Sequence, residues 1–145
     1  MRALLLSLVL SLAPAVSVPA RFTAPVQAPI TDHFRPPACR WCPGNRGIDY
    51  SVTPGTPVHA AGSGTVDFAG PVGTALFVVV GHPDGLRTTY AFLQFVSVSV
   101  GQPVTTATVV GAAGPDLHFG VRRGDTYLDP EPLLAERRLK ARLVA

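Results

Sequence analysis

Asn45-Arg46-Gly47-Ile48-Asp49, Pro54-Gly55-Thr56-Pro57-Val58, Ala60-Ala61-Gly62-Ser63-Gly64-Thr65-Val66, Tyr90-Ala91-Phe92-Leu93, Gly101-Gln102-Pro103-Val104 and Asp116-Leu117-His118-Phe119 follow one another through the middle of the chain. Short runs rich in Val, Thr, Phe and Tyr accompany them at 48–52, 58–60, 64–69, 75–81, 87–95, 109–111 and 117–121. Pro-Gly, Gly-Ser-Gly and Pro-Asp-Gly punctuate these runs at roughly ten-residue intervals, as an all-β sandwich or barrel requires. Phe77-Val78-Val79-Val80 is uninterrupted apolar and predicts a central strand covered on both faces. Thr65-Val66-Asp67-Phe68 alternates and predicts one wet face. Asp84-Gly85 is a hairpin-turn signal. The expected fold is a compact antiparallel β-sandwich or barrel-like domain over 44–134.

Outward from this domain the composition changes. Residues 21–43 carry recurrent prolines without helical periodicity, which predicts an extended arm with one strand near 26–31 and a core that begins after it. Residues 132–144 alone have helix-forming composition, with Glu131 near the start and Arg and Lys toward the end, and predict a short basic helical tail over 135–145. Met1-Arg2, the apolar run 3–12, and Ala13-Pro14-Ala15 or Val18-Pro19-Ala20 together read as a secretory signal over 1–20, cleaved after Ala15 or Ala20. The apolar run is short of the ~20 residues that span a bilayer. Stable membrane insertion is therefore not expected, and a secreted or cell-envelope location is. Part of the positive mean hydropathy comes from this leader.

The chain has 145 residues and a formal charge of +3, which leans on Arg137-Arg138-Leu139-Lys140-Ala141-Arg142. This stretch reads as a solvated helix end or as a contact for acidic wall polymer or anionic lipid. No aromatic residues interleave with it, which argues against nucleic acid as a partner. The two cysteines stand in Cys39-Arg40-Trp41-Cys42. An exported chain meets an oxidising compartment where they pair as a local disulfide. A free or intermolecular pair and a redox or metal role are the alternatives, and Pro36, Pro37, Pro43 and Gly44 around the motif favour a loop over a redox helix start.

Asp116 and His118 are two apart on a predicted strand, so their side chains share a face. Asn45 and Asp49 stand where a loop enters another strand, within reach of the same place. Catalytic zinc takes three protein ligands and an open water position, and by spacing alone this set is incomplete.

The ordered motifs resemble those of the lysostaphin/LytM-type zinc metalloendopeptidases of bacterial cell walls, over about 44–134. The resemblance implies the fold of that family and a groove for peptidoglycan. It also implies roles by position. Asp49 and His118 stand where the family has zinc ligands, and Asn45 stands at the place of the other ligand histidine. Phe92 and Asp116 occupy the positions of the two histidines that assist catalysis. An amide oxygen is a poorer zinc partner than imidazole. Phenylalanine can neither orient water nor stabilise an oxyanion, and aspartate brings negative charge where negative charge develops. The chain is therefore expected to be a degenerate member with weak or absent zinc, acting as a module that binds peptidoglycan or binds and activates a wall hydrolase. Two other readings stand beside it. One is an active metalloendopeptidase with an altered ligand set, including an oxygen-rich site of Asn45, Asp49, Asp116 and His118 for manganese or calcium. The other is a redox protein using Cys39 and Cys42. Among the remaining candidates, His82 reads as a packing or hydrogen-bonding residue, His59 as groove wall or surface, His33 as a reserve ligand that would have to swing inward, and Tyr50, Phe68 and Trp41 as core or loop packing.

Overall fold

The computed structural model describes residues 21–135. Alternation of apolar and polar residues generates two faces on its strands. On β3 (Ile48–Ser51), Ile48 and Tyr50 turn inward and Asp49 outward. On β6 (Ala75–Gly81), Val78 and Val80 are buried while Phe77 and Val79 are only partly buried. Leu86, Thr88 and Tyr90 do the same on β7 (Leu86–Val96), as do Leu117, Phe119 and Val121 on β9 (Val109–Arg123). The inward set merges into one core. Each large side chain fully buried there contributes about 1.5–3 kcal/mol.

The strands form a nine-stranded sheet in which β2 (Ile30–Asp32), β3, β9, β7, β6, β5 (Gly64–Val72) and β8 (Pro103–Val104) lie in that order. Strand β9 is the spine. Along one side it pairs with β7. Along the other it pairs in succession with β4 (Pro57–His59), β3 and β10 (Thr126–Leu128), all antiparallel. The predicted strands 109–111 and 117–121 are thus two ends of one strand, continuous through Gly114 and Pro115. A second, two-stranded sheet joins β1 (Phe22–Thr23) to β11 (Leu134–Ala135) in parallel.

Several expectations need correction. Strand β6 is covered on one face only, because Phe77 and Val79 open onto a groove. The core does not begin after residue 44, since Phe22 and Val26 are buried members of it. The strand expected at 26–31 falls at Ile30–Asp32. At the start of the predicted helix stands a 3-10 turn, Glu131–Leu133, followed by β11. Pairing with β1 overrides local helix propensity there, and the remainder, with the basic stretch and the signal segment, lies outside the described residues. The Asp84-Gly85 hairpin forms as predicted: Gly85 has φ 84° and the Leu86 amide donates to Asp84 Oδ1 at 3.0 Å.

A polar thread crosses the core beneath this hairpin. The Ala61 amide donates to the Tyr90 hydroxyl (2.7 Å), which bonds Thr88 Oγ1 (3.0 Å), which bonds His82 Nε2 (2.9 Å), while His82 Nδ1 meets the Ser63 carbonyl (2.8 Å). A carbonyl only accepts, so Nδ1 carries the proton in the neutral ring and Nε2 accepts from Thr88. Every donor then has an acceptor, and both ends of the thread close on the segment 61–63.

Candidate functional site

Strand pairing builds the outer-face cluster. Asp49 on β3 lies directly opposite His118 on β9, and His118 Nδ1 donates to Asp49 Oδ1 at 2.7 Å. Asn45, only 6% exposed, donates from Nδ2 to Asp49 Oδ2 at 3.1 Å and accepts the Gly47 amide on Oδ1 at 3.2 Å. Its backbone exchanges two hydrogen bonds with Arg35. Gly47 is required by a close approach: a Cβ there would lie 2.2 Å from the Phe119 carbonyl oxygen and 2.9 Å from the His118 ring.

Phe92 comes to the same place by a break in register. Pairing steps from Ala91–His118 to Leu93–Ala113, leaving Phe92 unpaired opposite residues 114–117. Its φ of 64° lies in the left-handed region, an arrangement that costs a bulky residue on the order of 1–3 kcal/mol. The ring is 50% exposed and stands between Phe77 and His118, edge-on to both at centroid distances of 6.3 and 6.2 Å.

Asp116 does not join this cluster. It is exposed opposite Ser51, two positions along β9 from His118. Among the described residues no group of three or more His, Cys, Asp or Glu is placed to hold a metal. The oxygen-rich site of Asn45, Asp49, Asp116 and His118 is therefore not assembled. Zinc, the metal that the family resemblance implies, meets a donor set that does not fit it. Asp49 and His118 supply two ligand-type groups, one fewer than a catalytic zinc takes. Both carboxylate oxygens and the Nδ1 of His118 are engaged within the cluster, and the amide oxygen of Asn45 is taken by Gly47.

The other candidates lie elsewhere. His33 bonds Glu131 Oε1 at 2.5 Å, and that hydrogen bond and charge raise its pKa above the ordinary histidine value. Asp32 is bonded by Arg35, which lowers its carboxyl. Tyr50, behind Asp49 on the inner face, is pushed up to about 12 by burial, with Glu131 adding a smaller push. His59 is half-buried on β4, and Phe68 is partly exposed. Cys39 and Cys42 are joined as a disulfide in a turn. Trp41, at its tip, is 86% exposed, so it is not a core residue. Its indole lies under the Arg40 guanidinium, 5.1 Å from the ring centroid.

A hollow of about 260 Å³ beside His118 is lined by Arg46, Phe77, Val79, Arg122 and Tyr127 among others. Arg46, Arg122 and Tyr127 also line a larger one of about 900 Å³ at the disulfide loop. The two make one groove along the outer face of β9. Arg46, Arg122 and Tyr127 were not singled out in the sequence. The alternation that placed His118 outward places Arg122 on the same face, four residues on, and was the available signal.

A family model described as Peptidase family M23 matches residues 43–130. The Mycobacterium tuberculosis protein Rv2891 is 39% identical over 140 residues, covering 86% of this chain and 56% of Rv2891. The chain spans about half the length of the curated relatives it matches. Helicobacter pylori Csd3 superposes with a TM-score of 0.71 at 25% identity, covering 80% of this chain and 33% of Csd3. A zinc containing peptidase from Vibrio cholerae gives a TM-score of 0.68 at 26% identity, covering 79% of this chain and 40% of that one. The matched residues run through every strand from β3 to β10, and the chain belongs to peptidase family M23.

Proposed function

We propose that this chain is an exported cell-envelope protein whose M23-type groove holds peptidoglycan peptide, or a wall hydrolase that it activates, without hydrolysing it. The observation that carries this reading is the closed Asn45–Asp49–His118 cluster, in which the groups that would bind metal bond one another instead. Phe92 supports it, because its ring fills the space beside His118 with a side chain that can transfer no proton. A positioned acid or base contributes typically 10²–10⁴-fold to rate, so the groups at Phe92 and Asp116 leave little hydrolysis to expect. What remains is an open groove of aromatic and cationic side chains on a rigid sheet. Co-sedimentation with purified sacculi, run beside the rate of a co-exported hydrolase with and without the protein, tests the reading. Pelleting or a raised rate is expected; absence of both would overturn it.

The alternative is a metallopeptidase with an altered ligand set, favoured by the retention of Asp49 and His118 in adjacent register. Stoichiometric zinc that is lost in both Asp49→Ala and His118→Ala, together with chelator-sensitive cleavage of purified peptidoglycan, would establish it over the first reading.

A further inference from the structure

The arginines of the described residues fall into two groups. Arg21, Arg35 and Arg87 each face a carboxylate, on Asp84, Asp32 and Asp67, and Arg123 donates to the Asp84 carbonyl. Arg40, Arg46 and Arg122, like Arg123, have no carboxylate partner among the described residues, and of these four the first three line the larger hollow, where Asp125 is the one acid. Arg40 lies over Trp41 and Arg46 over Tyr127, at 5.1 and 5.9 Å from the ring centroids, so the aromatic faces hold the cations without neutralising them. Arg122 Nε is buried with no hydrogen-bond partner. An external acceptor can reach the Arg122 guanidinium only from the hollows that this residue lines.

The supporting frame is rigid. The Cys39–Cys42 disulfide closes the tip of the loop. The Arg35–Asn45 bridge closes its base, and Arg46 Nη2 donates to the Arg40 carbonyl at 2.7 Å. Asn45 also belongs to the Asp49–His118 cluster, so the loop and the cluster are held by one residue. Arg122 follows His118 by four residues on β9, which at ~3.3 Å per residue sets its position about 13 Å farther along the groove.

We propose that this loop and the β9–β10 hairpin form an anion subsite, in which Arg40, Arg46 and Arg122 receive a carboxylate carried by a peptide lying along β9. Guanidinium groups bind carboxylates in a planar, charge-assisted geometry. The span from His118 corresponds to about four residues of extended peptide. The proposal rests on the groove being a peptide site, and it adds the charge that the peptide must carry.

The test is calorimetric titration of the mature full chain with a peptidoglycan-type tetrapeptide whose carboxylates are free, and with the same peptide fully amidated. Trp41 is the single tryptophan, so its fluorescence reports on this subsite. The free form is expected to bind about tenfold or more tighter than the amide and to shift Trp41 emission. Arg122→Gln is expected to abolish that preference, Arg122→Lys to keep part of it, and Arg21→Gln to leave it intact, each with an unchanged circular dichroism spectrum. Equal binding of the two peptides overturns the subsite while leaving the groove reading intact. Inorganic phosphate that competes as well as the free peptide marks a generic anion site and also overturns the proposal. Failure of both peptides to bind overturns it too, and sacculus sedimentation then decides separately whether the groove reading falls with it.

Discussion

His82 and His118 lie on opposite faces of the same sheet, and both are hydrogen-bonded within the protein. His82 is 8% exposed and sits in a thread whose two ends return to the segment 61–63. His118 lines the groove, where its partners are Asp49 and the edges of Gly47 and Phe92. On the inner face the polar groups are buried and bonded to one another, so a change at one position disturbs the next. At His118 and Asp49, whose side chains are 21% and 28% exposed, water can replace a lost partner. The strands and turns are therefore expected to tolerate changes at Asp49 and His118 better than at His82 and Thr88.

The sharpest way to break this contrast is to cut an aromatic ring on each face. Phe119, fully buried beside His118, is expected to cost about 3–5 kcal/mol on replacement by alanine. Phe92→Ala is expected to cost less than about 1 kcal/mol, because its exposed ring buries little and alanine eases the left-handed backbone only slightly. Chemical denaturation of both variants measures the difference; equal losses would mean that the groove face also belongs to the core.

The polar groups give the next comparison. His82→Leu removes the acceptor for the buried Thr88 hydroxyl, with an expected loss of about 1–3 kcal/mol. His118→Ala is expected to lose about 1 kcal/mol or less, since the Asp49 carboxylate it leaves behind can be hydrated. A larger loss at 118 than at 82, read from the same unfolding curves, would reverse the account of the two faces.

A smaller effect follows pH. Glu131 raises the pKa of His33 in the folded protein above its ordinary value of 6.5. The pair therefore stabilises the fold fully below the unfolded value and loses that contribution as pH rises through the folded one. Thermal midpoints of the parent and Glu131→Gln should differ most near about pH 5.5 and converge above about pH 8. A gap that widens with rising pH would contradict the assignment.

The sequence made the strands and turns legible because alternation and turn chemistry are local. The hairpin at Asp84-Gly85 and the strand 75–81 followed from spacing, while the pairing of Asp49 with His118 in one site came from the family resemblance. What was not legible depended on distant pairing. The segment 132–135 was drawn from helix to a 3-10 turn and strand by β1, and Phe77 and Val79 face a groove because no second layer of the described residues covers them there. The site was legible as a list of residues and not as a network. The family resemblance brought Asn45, Asp49 and His118 together, but it could not give the bonds that close them on one another. Asp116 was grouped with them because it shares a strand face, yet residues on one face two positions apart still stand about 7 Å apart along the strand. Arg122 was passed over because a lone arginine on a strand carries no motif.

The central claim is that the groove binds without cutting. The most direct measurement incubates the zinc-equilibrated protein with purified peptidoglycan, then assays the pellet for bound protein and the supernatant for released peptide. The account predicts protein in the pellet and no release above the protein-free control. Release of peptide that a chelator abolishes would contradict it.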